Sequence, residues 1–93
     1  MSFEWDEAKR AVNLAKHGVD FQTAMQIFAG AALEGPDIRR DYGEARIGAY
    51  GLAGGEVLFA IYTWRGHHHR LISARKAGSH ERDIYCSRIA GDG

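Results

Sequence analysis

The second half of the chain concentrates side chains that could bind phosphate. Between positions 65 and 82 there are five Arg or Lys residues, four His residues and a single acid, Glu81. Many cations and hydrogen-bond donors on one segment are typical of a surface that binds a phosphate-bearing partner. The basic residues are Arg65, Arg70, Arg75, Lys76 and Arg82, and the histidines are His67, His68, His69 and His80.

These residue types could cleave RNA without a metal ion. Attack of a ribose 2′-hydroxyl on its neighbouring phosphate needs a base for the hydroxyl proton, cations for the phosphoryl oxygens and an acid for the leaving oxygen. Arginine suits the second role because its planar fork stays charged and grips phosphate at two points. The candidates are Arg65, Arg75 and Lys76 for binding phosphate, and His17, Glu81 and Tyr85 for transferring protons.

Other kinds of catalytic site find little support in the sequence. Three consecutive histidines, residues 67–69, would alternate between the two faces of a strand, so they could not all reach one metal ion. The chain has no Gly-x-Gly-x-x-Gly motif, no P-loop and no serine nucleophile elbow. We therefore predict neither a metal nor an organic cofactor.

The elements that position these residues follow from periodicity and turn signals. Asp6 is a good N-cap and Gly18 a good C-cap for an amphipathic helix, whose other face is a polar stripe read as solvated. That stripe consists of Lys9, Asn13, Lys16 and His17. The predicted elements are an edge strand at 3–5, helices at 7–17 and 20–30, strands at 46–52, 56–64 and 69–76, and a final helix from about residue 79. Residues 30–44 have loop composition with room for one short strand at 31–34.

This order predicts an α+β domain in which a small antiparallel sheet carries two N-terminal helices and one C-terminal helix. With 93 residues the chain suits one domain, residues 1–93, with a single core. A lone cysteine excludes an internal disulfide, and no stretch looks like a signal peptide or membrane helix. The predicted location is therefore the cytoplasm, with no membrane partner.

The charge is distributed unevenly although the formal net charge is zero. Residues 1–44 carry five bases and eight acids, a balance of −3, whereas residues 45–93 carry seven bases and four acids, a balance of +3. Such an asymmetry is compatible with one basic face on the folded domain.

Four short strings of residues carry a family resemblance. They are Phe3-Glu4-Trp5-Asp6 with Lys9 following; Asn13 and Lys16-His17-Gly18-Val19 with Phe21 following; Tyr62-Thr63-x-Arg65-Gly66; and Ile72-Ser73-Ala74-Arg75-Lys76-Ala77 with Glu81-Arg82 and Tyr85 beyond. In order and spacing, over about residues 3 to 88, they resemble the BrnT family, the ribonuclease half of a bacterial type II toxin–antitoxin pair.

The resemblance implies a fold similar to that of RelE and ParE toxins and metal-independent cleavage of RNA. It also implies neutralisation by a BrnA-like antitoxin, with operator DNA bound only through the complex of the two proteins. We expect one positively charged cleft where the late hairpin meets the first helix. The predicted catalytic residues are Arg65, Arg75, Lys76, His17 and Glu81, and the predicted RNA-binding residues are Lys9, Lys16, Arg70, Arg82 and Tyr85.

Two other functions stay open from the sequence. One is a non-catalytic module that binds an antitoxin and regulates its operon. The other is an inhibitor of a different target, such as gyrase, because one fold can host several functions.

Overall fold

Residues 1–91 are described by a computed structural model, and within them a five-stranded sheet carries three α-helices. The elements are β1 (Ser2–Glu4), α1 (Glu7–His17), α2 (Phe21–Ala24) running into a 3-10 helix (Met25–Ala29), β2 (Leu33–Pro36), β3 (Ile47–Ala53), β4 (Glu56–Arg65), β5 (His68–Lys76) and α3 (Ser79–Gly91). This confirms the predicted α+β class. Of the expected single domain, Asp92 and Gly93 lie outside the described residues.

The sheet is mixed, so the prediction of an antiparallel sheet was wrong in one respect. The strand order is β1-β5-β4-β3-β2. β1 pairs with β5 in parallel, with Ser2 opposite His68, whereas the other three pairings are antiparallel. β1 and β5 come from opposite ends of the chain, so no hairpin turn fixes their relative direction. The short strand expected at 31–34 is present two residues later, as β2.

The core lies where α1, α2 and the 3-10 helix pack on one face of the sheet. Ala49, Ala60 and Ala74 are cross-strand partners on β3, β4 and β5, and each is almost fully buried. Their small side chains let the helices approach the strands closely. At Gly51 the approach is closer still, since a Cβ atom there would lie 2.6 Å from the Cβ of Ile27. No helix within residues 1–91 is long and apolar enough to cross a membrane.

Asn13 is buried, which corrects its predicted place in a solvated stripe. The residue is only 6% exposed, and its amide NH₂ group donates to the carbonyl oxygens of Ala74 (2.8 Å) and Val19 (3.0 Å). Its carbonyl oxygen accepts from the backbone N–H of Ala74 at 3.1 Å. β1 covers the edge of β5 only at residues 68–70. Asn13 therefore takes the place of a neighbouring strand further along that edge.

Replacing Asn13 with alanine is expected to destabilise the fold by about 2–3 kcal/mol, because it leaves buried backbone groups of Ala74 and Val19 without partners. Denaturant unfolding monitored by circular dichroism would measure this. Lys16→Ala, an exposed position on the same helix, should stay within about 0.5 kcal/mol of the unsubstituted protein. Equal effects of the two substitutions would show that the Asn13 bonds contribute nothing special.

His69 is buried among aromatic rings. Its ring centroid lies 4.3–5.0 Å from those of Phe3, Phe28, Tyr62 and Trp64, and its Nδ1 atom has no hydrogen-bond partner among residues 1–91. Burial lowers the pKa of His69 below its ordinary value of 6.5, because the charged imidazolium would lose its hydration. The neutral imidazole of His69 therefore packs in the core as an aromatic ring.

Protonation of His69 should weaken the fold. With a folded-state pKa below 6.5, its contribution to stability is complete above pH 6.5 and is lost as the pH falls through the lowered pKa. We expect the free energy of unfolding to be smaller at pH 5 than at pH 7. His69→Phe, which keeps a ring but cannot be protonated, should show a smaller difference between the two pH values. An undiminished difference in that variant would contradict this origin.

Candidate active site

A groove of about 560 Å³ lies on the sheet face opposite the core. Tyr50 and Phe59 are cross-strand partners that alternate with the buried Ala49 and Ala60, so they point away from the core and form the groove floor. One wall is α3, which contributes Glu81, Ile84 and Arg88, and the other is the segment 33–39. Arg75, near the end of β5, also lines the groove.

The floor is aromatic because Gly48 leaves room for a ring. A Cβ atom at Gly48 would lie 2.8 Å from the ring of Phe59, so any larger residue would force that ring to move. The rings of Tyr50 and Phe59 have their centroids 4.5 Å apart, and the guanidinium carbon of Arg75 lies 4.8 Å from the Phe59 centroid. Arg75 is therefore held against a flat surface by a cation–π contact.

Arg75, Glu81 and Tyr50 form one hydrogen-bonded network in the groove. The guanidinium of Arg75 donates two bonds to the carboxylate of Glu81, at 2.8 and 3.0 Å, in bidentate geometry. The hydroxyl of Tyr50 donates to the same carboxylate. The backbone N–H of Gly78 donates a further bond of 2.8 Å to it. Three elements, β3, β5 and the start of α3, thus converge on one carboxylate.

Local sequence explains why Glu81 reaches this position. β5 ends at Lys76 and α3 begins at Ser79, so Arg75 and Glu81 lie on the two sides of a short turn. Glu81 is the third residue of α3, and its bond to Gly78 is one half of a capping box. Its predicted place in the first turn of the last helix is confirmed.

The network sets the protonation of its members. The two bonds from Arg75 are the largest influence on Glu81 and, with smaller contributions from Tyr50 and Gly78, lower its pKa to about 2. Burial, followed by the bond to the Glu81 carboxylate, raises the pKa of Tyr50 above its ordinary value of 10. At neutral pH Glu81 is therefore an anion and Tyr50 a proton donor.

The single cleft predicted from Arg65, Arg75, Lys76 and His17 is not formed. Arg65 lies six residues along β4 from the partner of Arg75, roughly 20 Å away, and pairs with Glu44 at 3.2 Å. Lys76 pairs with Glu56 at 3.4 Å. The basic residues are spread over two long strands, and several have carboxylate partners from distant parts of the chain. The predicted catalytic roles of Arg65, Lys76 and His17 stay predictions, because the structure does not bring these residues together with Arg75 in one site.

Of the predicted RNA-binding residues, only Lys9 and Lys16 lie together. Arg70 is paired with Glu4 on β1, and Arg82 is exposed on α3. Tyr85 is only 3% exposed, and its hydroxyl donates to the carbonyl of Ala31 at 2.7 Å, so it anchors α3 to the segment before β2. Lys9 and Lys16 line a second pocket, together with His17.

Sequence reasoning missed Tyr50 and the floor of the groove. A signal for them existed, because the two-residue turn at Gly54-Gly55 fixes the β3–β4 register and so places Tyr50 opposite Phe59. Neither Arg39 nor Arg88, which also line the groove, was singled out. Across residues 1–91, no group of three or more His, Cys, Asp or Glu side chains is arranged to hold a metal ion.

A comparison with family models places these features in a known context. The model of BrnT, the ribonuclease toxin of type II toxin–antitoxin systems, matches residues 5–81. The chain belongs to the BrnT family. Membership makes it the ribonuclease toxin of a type II toxin–antitoxin system, with RNA as its target and an antitoxin as its partner. No curated protein matches the sequence. In this BrnT-family toxin the matched region includes Tyr50, Phe59, Arg75 and Glu81.

Proposed function

We propose that this BrnT-family toxin is an endoribonuclease that cleaves RNA without a metal ion, in the groove lined by Arg75, Glu81 and Tyr50. The observation that carries the proposal is the network itself, in which a guanidinium, a carboxylate and a phenol meet in one concave site. A cation, a base and an acid are the three groups that cleavage by an internal 2′-hydroxyl needs.

Arg75 binds the scissile phosphate in this scheme. Its fork already makes a bidentate bond to a carboxylate, and a phosphate presents the same pair of acceptor oxygens. Its contact with Phe59 keeps the guanidinium in place as its partner changes. The charge that develops on the phosphoryl oxygens is then stabilised by a group that needs little reorganisation.

Glu81 becomes the base when a phosphate replaces it as the partner of Arg75. While paired, its pKa of about 2 makes it a weak base, and the first cause of that low value is Arg75. Loss of the two bonds raises the pKa towards its ordinary value and frees both carboxylate oxygens. Substrate binding thus produces the base that the reaction uses, and the free enzyme holds it in an inactive pair.

Tyr50 completes the proton path. Glu81 takes the proton of the 2′-hydroxyl, whose oxygen forms a new bond to phosphorus while the bond to the 5′ oxygen breaks. Tyr50 gives its proton to that leaving oxygen and regains one from Glu81 along their hydrogen bond. The products are a 2′,3′-cyclic phosphate and a 5′-hydroxyl end, and the enzyme returns to its starting state.

The remaining expectations belong to the same proposal. The arrangement of helices around the sheet supports a RelE/ParE-like fold. The neutralising partner is a BrnA-like antitoxin, and operator DNA is bound only through the complex with it. The toxin acts in the cytoplasm, where its RNA target is present.

Incubation of the purified toxin with total RNA tests the proposal. We expect cleavage in the presence of excess EDTA. The 2′,3′-cyclic phosphate ends would be detected by their resistance to ligation at the 3′ end until the cyclic phosphate is opened and the phosphate removed. Addition of the cognate antitoxin should stop cleavage. Cleavage that EDTA abolishes and Mg²⁺ restores would overturn the metal-independent mechanism, and intact RNA under every condition would overturn nuclease activity of this chain.

A further inference from the structure

A second pocket of about 340 Å³ lies between α1 and the edge of β5. Its polar lining includes Lys9, Lys16 and His17 of α1 and Ser73 of β5, while Val12 and Ile72 are among its apolar lining residues. Lys9 and Lys16 are two helical turns apart, about 10.5 Å along the axis. Asn13, between them, holds α1 to β5 and so fixes the width of the pocket.

The charge of this pocket is not compensated. No Asp or Glu residue is among those that line it, whereas the groove has Glu34, Asp37 and Glu81 beside its arginines. Neither Lys9 nor Lys16 forms a salt bridge within residues 1–91. In the same part of the chain, the cations that do pair with carboxylates are Arg10, Arg39, Arg46, Arg65, Arg70, Arg75 and Lys76. An unpaired cation beside a concave surface attracts an external anion more strongly than a paired one.

The pocket and the groove are neighbours along β5. Ser73 lines the pocket and Arg75 lines the groove, and two residues of a strand span roughly 7 Å. β5 has no further strand at its outer edge beyond residue 70 among the described pairings, and on that edge the backbone N–H and C=O of Ala74 bond to the Asn13 side chain. A chain that left the groove across this edge would arrive directly at the two lysines.

We propose that the pocket of Lys9, Lys16 and His17 is an RNA-binding subsite that holds the phosphate backbone flanking the cleaved bond. The inference rests on the proposed function of the groove, and it assigns His17 to binding rather than to catalysis. Lys9 and Lys16 contribute electrostatic attraction to phosphates, and Ser73 and His17 contribute hydrogen-bond donors. The apolar part of the lining is suited to the face of a nucleobase.

A nucleic acid fits this pocket better than an acidic segment of the antitoxin. The pocket has the volume of a small-ligand site, a class that spans about 300–1,000 Å³. An antitoxin segment would need a wider surface, because a stable protein interface buries about 800 Å² of each partner. The position of the pocket next to the catalytic groove also matches the continuous path of a polynucleotide.

The test uses a single-stranded 2′-O-methyl oligonucleotide of mixed sequence, which lacks the nucleophilic hydroxyl and cannot be cleaved. Fluorescence anisotropy at several salt concentrations gives the slope of log Kd against log salt. Lys9→Gln and Lys16→Gln should each weaken binding and lower the slope by about 0.7, and the double variant by about 1.4. Lys9→Arg with Lys16→Arg should retain both the affinity and the slope.

Cleavage assays separate this subsite from the groove. The double Gln variant should raise KM for a long RNA severalfold with kcat little changed, and should leave cleavage of a dinucleotide as it was. Arg40→Gln, an exposed cation outside the pocket, serves as the matched charge control. An unchanged slope and KM in the double variant would overturn the subsite even if the groove is active. Loss of antitoxin binding without any loss of RNA binding would assign the pocket to the antitoxin instead.

Discussion

Replacing Arg75 with alanine is expected to reduce RNA cleavage by about 10²–10³-fold, the usual cost of removing one donor that stabilises transition-state charge. The fold should survive, because the Arg75–Glu81 pair is partly exposed and such pairs contribute about 1 kcal/mol or less. Single-turnover cleavage of a defined RNA would give the rate, and circular dichroism would verify the fold. Arg75→Lys keeps the charge but not the planar fork, so its cleavage rate should lie between those of the unsubstituted protein and Arg75→Ala.

Arg10 provides a closely matched control for Arg75. It also makes a bidentate pair, with both bonds to Asp20 at 2.8 Å, and its side chain is 30% exposed compared with 35% for Arg75. Arg10 does not line the groove. Arg10→Ala should therefore cost similar stability and leave cleavage unchanged. If the two substitutions reduced cleavage equally, the effect of Arg75 would be one of stability and not of catalysis.

Replacing Glu81 with glutamine is expected to slow cleavage by about 10²–10⁴-fold, because the amide cannot accept the 2′-hydroxyl proton. Glutamine has nearly the same shape. Its amide oxygen can still accept the bond from the backbone N–H of Gly78, and its NH₂ group, in the place of the other oxygen, can donate to the Tyr50 hydroxyl, so the start of α3 is preserved. Tyr50→Phe should have a smaller effect, since water can protonate the leaving oxygen in its place. Wild-type rates in Glu81→Gln would contradict its role as the base.

Glu81→Gln should also change how the free energy of unfolding depends on pH. The folded-state pKa of Glu81, about 2, lies below its ordinary value of 4.5. Its contribution to stability is therefore complete above pH 4.5 and is lost as the pH falls towards 2. Unfolding free energies measured between pH 6 and pH 2.5 should fall less steeply in Glu81→Gln than in the unsubstituted protein. Identical slopes would show that the Arg75 pair does not set this pKa.

Local chemistry in the sequence was sufficient to predict several elements correctly. The helix boundaries of α1 follow from its caps: the Asp6 carboxylate accepts bonds from two N–H groups of the first turn, and Gly18 adopts a left-handed conformation with φ of 71°. The turn at Gly54-Gly55 likewise fixes the β3–β4 hairpin. In each case the residues that decide the structure are close neighbours in the chain, so a short window contains the whole signal.

Features that depend on distant residues were not predictable in the same way. The parallel pairing of β1 with β5 and the bonds from Asn13 to Ala74 join parts of the chain separated by most of its length. Hydrophobic periodicity places Asn13 on the polar face of α1. It contains no information about the backbone groups of Ala74 to which the Asn13 amide bonds. The burial of Asn13 becomes visible only in the fold, where its side chain faces the edge of β5.

The candidate site shows the same limit. Arg75 and Glu81 are six residues apart, and the sequence drew attention to both of them. Tyr50 is 31 residues from Glu81, and nothing local connects the two. Arg65 appeared equivalent to Arg75 because both are basic residues of one hairpin, yet its partner Glu44 comes from a loop 21 residues earlier. The charge count of a segment therefore does not reveal which of its cations are free to bind a substrate.

The structure of the toxin bound to an uncleavable 2′-O-methyl RNA is the most direct test of the groove as the active site. We predict a backbone phosphate within about 3 Å of the Arg75 guanidinium, with the carboxylate of Glu81 released from Arg75 and turned towards the methylated 2′ oxygen. RNA bound elsewhere on the toxin, with the Arg75–Glu81 pair intact, would contradict the mechanism.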